Sequence, residues 1–78
     1  MSVSLGRAVA ALRIERGMKR KDLVAAAGVS YPYHTEIEDG RKSPSTTVLE
    51  KIATALDMSM SQLFERAESI AADPRNGL

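Results

Sequence analysis

The sequence predicts an all-α domain of five short helices, on three observations. Apolar residues recur at helical spacing in separate stretches, glycines and prolines interrupt those stretches at short intervals, and no alternating β-branched run of useful length occurs. Seventy-eight residues are enough for one small domain.

The first helix is expected from about Leu5 to Arg16, capped by Ser4 and ended by Gly17 in the left-handed conformation. Leu5, Ala8, Val9 and Leu12 share its apolar face. The second runs from about Arg20 to Ala27 and stops at Gly28. Leu23, Ala26 and Ala27 are expected to face inward, the small alanines allowing the next helix to cross closely while Val29 fills the gap. The third begins at Ser30 or Tyr31 and runs to about Asp39, with Gly40 ending it. Ser30 is its cap, and Pro32 fits a first turn, where its missing N–H has no intrahelical partner. Pro44 then blocks helix, and Ser45 caps the fourth helix, about Thr46 to Leu56. Val48, Leu49, Ile52, Ala53 and Leu56 form its stripe. Ser59 and Gln62 have capping-box spacing at the start of the fifth, which runs to about Ala72 before Asp73–Pro74 stops it. The domain is thus expected over residues 1–72, with a frayed tail over 73–78.

Composition narrows the function classes. There is no cysteine, so neither a disulfide nor a thiolate metal site is available and nothing argues for an oxidising compartment. Apolar runs are far too short to span a membrane, and the start MSVSLGR lacks the pattern of a secretory signal. A cytoplasmic protein with no membrane partner is the expectation. No nucleophile–base–orienter set and no glycine-rich phosphate loop occurs, so an enzyme is not expected, and no cofactor. The single histidine has no second His or Cys beside it to hold a metal, and Glu36, Glu38 and Asp39 are expected to fan apart on their helix. Net charge is only +1 but unevenly spread: residues 1–42 carry eight Lys/Arg against five Asp/Glu, residues 43–78 three against five. One half is suited to a polyanion.

The second and third helices, with the turn between them, read GMKRKDLVAAAGVSYPYHTEIEDGRKSPS over Gly17–Ser45. Two helices joined in this way can hold one of them in the major groove of DNA. Lys19, Arg20 and Lys21 crowd the start of the second helix against its macrodipole, at a cost of roughly 0.3–1 kcal/mol each, which suits a site normally occupied by phosphate. The segments LRIERGM, AGVS, EIEDGRKSPS and TVLEKIATALDMSMSQLF, in this order and spacing, resemble the lambda-repressor-like helix-turn-helix family, also called the Cro or xenobiotic-response-element family. The resemblance covers roughly Leu5 to Phe64 and implies a five-helix bundle whose second and third helices form the reading unit.

It also implies roles. Positions 31, 32 and 36 are those that reach base edges in the family, and Thr35 lies on the same face, so Tyr31, Pro32, Thr35 and Glu36 are the candidate base contacts. Tyr31 offers a ring and a hydroxyl, Pro32 apolar contact only, Thr35 either kind, and Glu36 an acceptor for cytosine N4. Lys19, Arg20, Arg41, Lys42 and Ser43 are candidate phosphate contacts, with Tyr33 at the helix edge. The family often has Gln where Arg20 stands and an apolar residue where His34 stands. In many relatives an arginine of the first helix pairs with the Glu of the I-E-x-G segment. Here that would tie Arg13 to Glu38 and aim Arg13 at a phosphate. His34 is expected in the core, bonded to a neighbour, with a pH-sensitive or DNA-contacting role as the alternative.

Met18 and Met58 are expected in the core, whereas Met60, Phe64, Ala67 and Ile70 are expected to form an exposed apolar stripe on the fifth helix that serves as a dimer interface. A two-fold dimer would set two reading helices about one DNA turn apart, ~34 Å, on a palindromic site. The function expected is that of a dimeric transcription regulator, a repressor, bound to double-stranded DNA. The alternative is a protein-binding module on the same fold, such as an antitoxin or coactivator, whose partner would be a toxin or RNA polymerase.

Overall fold

The computed structural model describes residues 2–73. Five helices follow one another with no strand among the described residues: α1 Ser2–Glu15, α2 Arg20–Ala27, α3 Tyr31–Glu38, α4 Thr46–Ala55 and α5 Met60–Ala72. The expected boundaries hold to within a residue except at the start. There α1 runs through Ser4 to Ser2, so Ser4 is a half-buried residue inside the helix and not its cap. Neither Gly nor Pro stands between residues 2 and 4 to stop the turn. The tail beyond Asp73 lies outside the described residues.

The helix ends are chemically explicit. Ser30, Ser45 and Ser59 each accept the N–H three residues on with their hydroxyl, and Gln62 Oε1 returns the bond to Ser59 N at 2.8 Å. Gly17 and Gly28 take φ of +67° and +71° and close α1 and α2. α4 ends without glycine: Leu56 is the cap and Asp57 itself adopts φ +56°, which a short polar side chain tolerates.

α1 packs against α3 and α5, α2 against α3 and α4, and α4 against α5. The core between them is built from Leu5, Ala8, Val9, Leu12, Leu23, Ala27, Ile37, Leu49, Ile52, Ala53, Leu56, Leu63 and Ala67. Met18, Val29 and Met58 pack on its edge, as expected of them. Two alanines are placed otherwise than expected. Ala26 is exposed, and Ala67 is fully buried in the chain's own core and so belongs to no exposed stripe. The α1–α3 contact depends on Gly6. A Cβ built there would lie 2.2 Å from the Ile37 carbonyl oxygen and 2.8 Å from that of Glu38, so the two backbones touch directly.

Candidate nucleic-acid interface

α3 turns one side inward and one outward. His34, Ile37 and Glu38 are buried, whereas Tyr31 and Pro32 are exposed, Tyr31 at 48%. Tyr33, Thr35 and Glu36 lie half-buried between these faces. Tyr31, Pro32 and Glu36 therefore present side chains to solvent together. Thr35 differs from expectation: its Oγ1 is buried and without a hydrogen-bond partner, so its hydroxyl is not presented to a base. Tyr33 packs its ring against the core edge, under Lys42 Nζ at 5.8 Å from the ring centre. The same Nζ is 3.6 Å from Glu36 Oε1, so Lys42 sits between two residues of α3.

The loop after α3 is held by its own backbone. Arg41 N donates to Glu36 O at 2.9 Å and Gly40 N to Ile37 O at 3.1 Å, leaving Arg41, Lys42 and Ser43 exposed beside the outer face. At the other end, Lys19 and Lys21 are exposed at the start of α2. Asp22, in the first turn, accepts the Lys19 N–H at 2.9 Å, which offsets part of the unfavourable charge there. Exposed cationic residues thus stand both at the start of α2 and in the loop after α3.

Glu38 is the hub beneath this surface. Its Oε1 accepts Arg13 Nη2 at 3.1 Å and Arg20 Nε at 3.0 Å; its Oε2 accepts Arg13 Nε at 2.9 Å and meets His34 Nε2 at 2.5 Å. The Arg13–Glu38 tie is the one the resemblance implied, and Arg13 Nη1 adds a bond to Met18 O at 2.9 Å. With its side chain only 12% exposed, Arg13 points into the domain rather than toward a phosphate. Arg20 also turns to Glu38 and stands 3.9 Å from Asp39, though its side chain remains 32% exposed. Burial raises the Glu38 carboxyl, but the hydrogen bonds from His34 and Arg13, with the charge of Arg13, outweigh burial and bring it from 4.5 down to about 2. An ionised carboxylate only accepts, so the His34 ring donates through Nε2–H. His34 is indeed a core residue bonded to a neighbour, with no exposed surface.

Glu36 faces Lys42, Glu38 faces inward and Asp39 faces solvent, so these three carboxylates point apart. Among the described residues no group of three or more His, Asp or Glu could hold a metal ion, and no helix is long and apolar enough to cross a membrane. On α5, Met60, Phe64 and Ile70 are half-buried against the core. Among the described residues the most exposed large apolar side chain is Ile14 on α1, at 65%, which sequence reasoning missed because it sits among the charges of RIER. Beside it, Arg66 of α5 clamps Glu15 at 2.6 and 3.2 Å, and its hydrogen bonds hold that carboxyl below its ordinary range.

Comparison with known proteins agrees with the five-helix fold. A family profile described as a helix-turn-helix domain matches residues 4–65. The HTH-type transcriptional regulator DdrOP3 of Deinococcus deserti is 39% identical over 57 residues, which cover 73% of this chain but only 44% of that protein. The clp gene regulator ClgR of Corynebacterium glutamicum superposes with a TM-score of 0.85 at 29% identity, covering 94% of both chains. The restriction–modification controller protein C.AhdI of Aeromonas hydrophila gives 0.77 at 31% identity, covering 80% of this chain and 94% of its own. With its five helices and a helix-turn-helix profile matched over residues 4–65, the chain belongs to the helix-turn-helix domain family of the xenobiotic-response-element type.

Proposed function

We propose that the chain is a DNA-binding transcription regulator, a repressor acting as a homodimer on a palindromic operator with α3 in the major groove. One observation carries the reading: Tyr31, Pro32 and Glu36 of α3 reach solvent on a domain that also exposes Lys19 and Lys21 at the start of α2 and Arg41 and Lys42 in the loop after α3. Base-reading groups accompanied by phosphate-binding groups are what a reading helix requires. That its relatives are named as transcriptional regulators and a restriction–modification controller supports the same reading.

The roles follow from the placements. Tyr31, Pro32 and Glu36 read bases, and Lys19, Lys42, Arg41 and Ser43 hold backbone, with Arg20 available to do so if it leaves Glu38. Such a protein works in the cytoplasm, where the DNA is. With Ala67 spent in the core, the dimer contact is carried by the half-buried Met60, Phe64 and Ile70, joined by Ile14 of α1. The test is selection of binding sites from random duplex DNA with the purified chain at two salt concentrations. A palindromic consensus whose binding weakens with salt is expected. Absence of enrichment at both concentrations would overturn the reading and direct attention to Ile14 as a protein-binding surface.

A further inference from the structure

His34 is fully buried in the reading helix and takes no place among its outward residues. Its two ring nitrogens have opposite surroundings. Nε2 shares Glu38 with two arginines, and Nδ1 is buried with no hydrogen-bond partner. The four bonds to Glu38, two on each oxygen, fill the roughly four lone-pair sites a carboxylate has. The charged groups facing this cluster come from three helices: Glu38 of α3, Arg13 of α1 and Arg20 of α2, with Asp39 beyond Arg20.

We propose that His34 is a positioning residue that links proton uptake to DNA binding: a proton added at Nδ1 drives Arg20 off Glu38 and frees it for the DNA backbone. The inference rests on the DNA-binding reading above. With the ring neutral, two cations share one carboxylate. The added proton, taken from water, makes three, and places a charged donor where no acceptor lies. Two of the three cations have nowhere to go. His34 has no exposed surface, and Arg13 is 12% exposed and also tied to Met18 O. Arg20 is 32% exposed at the first residue of α2, beside Lys19 and Lys21. It is the cation that can move, and it moves toward the side where phosphate is expected. Because linkage is reciprocal, a duplex that captures Arg20 favours the protonated ring, and DNA binding takes up as much as one proton per chain.

The chain has one histidine and no cysteine, so one side chain alone is of a type that ordinarily changes charge between about pH 5 and 8. The first arm measures the affinity of the whole chain for a selected duplex of about 30 base pairs, some three turns, from about pH 8 down to 6. Wild type is expected to tighten as pH falls, by up to about tenfold per pH unit for each bound chain and so up to about a hundredfold for a dimer on its operator, and His34→Leu to stay flat. The second arm needs no DNA: the Arg20 Nε–H resonance, assigned through Arg20→Lys, is followed by NMR alongside the His34 ring protons. The two are expected to titrate together. Equal pH slopes in wild type and His34→Leu would overturn the proposal. So would an Arg20 resonance that stays still while the ring titrates, or a ring that does not titrate while the protein is folded. Failure of wild type to bind DNA at any pH would remove the function reading and the DNA half of this one, and the Arg20 resonance would still decide whether the proton moves the arginine.

Discussion

Replacing Glu38 with Gln removes one charge and almost no volume from the centre of the cluster. Four donor bonds converge on this carboxylate, from Arg13, Arg20 and His34. An amide keeps one acceptor oxygen and sets its NH2 against donors, so Arg13 and His34 lose partners where water does not reach. Removing one member of a buried ion pair costs about 3–5 kcal/mol. The carboxyl's fall from 4.5 to about 2 gives a second figure of about 3 kcal/mol contributed by its ionised form. Both are large against the ~5–15 kcal/mol of a typical domain. At 4–8 °C per kcal/mol for a domain this small, about 3 kcal/mol lowers the melting temperature by roughly 12–24 °C at neutral pH. The sign of the acid dependence follows from the depressed carboxyl: its contribution is complete above 4.5 and is lost as pH falls from there toward about 2. Urea unfolding of wild type and Glu38→Gln from pH 7 to pH 2.5 therefore separates the two effects. The curves should lie furthest apart at pH 7 and converge in acid. A Glu38→Gln protein within about 1 kcal/mol of wild type at pH 7, or a constant gap across the acid range, would refute the reasoning.

Gly6→Ala should destabilise by about 1–3 kcal/mol in thermal melts despite alanine's better helix propensity, because the new methyl meets backbone that cannot rotate away; a stabilised variant would show that α1 is not seated on α3 as described. Asp57→Gly should stabilise by roughly 0.5–1 kcal/mol, since glycine takes the φ of +56° without strain, and chemical denaturation reads the difference. Glu36→Ala should relax preference at one base pair by roughly 1–3 kcal/mol in a competition assay over single-site operator variants. An unchanged preference profile would leave Glu36 only as the partner of Lys42.

Most of the architecture was legible because its signals are local. Ser30, Ser45, Ser59 and Gln62 bond within one turn of themselves, and Gly17 and Gly28 announce left-handed turns by having no Cβ. What escaped is long-range or carried by residues with no sidedness. Alanine fits a core and a surface equally, so Ala26 and Ala67 were misplaced while Leu23 and Leu63 were not. Gly6 reads as a poor helix former until Ile37 and Glu38 arrive beside it from a distant stretch of chain. The Glu38 cluster was half visible: the resemblance implied Arg13, but no spacing rule links Arg20 on α2 to a carboxylate on α3. Asp57 ends α4 where a glycine would have been the readable sign. On the interface, the outer face of α3 followed from helical periodicity, whereas the concealment of the Thr35 hydroxyl depends on packing around it.

The seating of α1 on α3 through Gly6 has a lopsided effect on how much change the chain can absorb. A contact made by carbonyl oxygens is indifferent to the side chains attached beyond them, because every residue at 37 or 38 offers the same oxygen. The whole requirement for identity falls on position 6. Substitutions along the reading helix can therefore vary while its distance from α1 stays fixed, and a Glu38 variant should be a weaker copy of the same architecture rather than a repacked one. Tolerance to mutation on the outward-facing side of this domain is set, in part, by a single missing methyl group on the helix behind it.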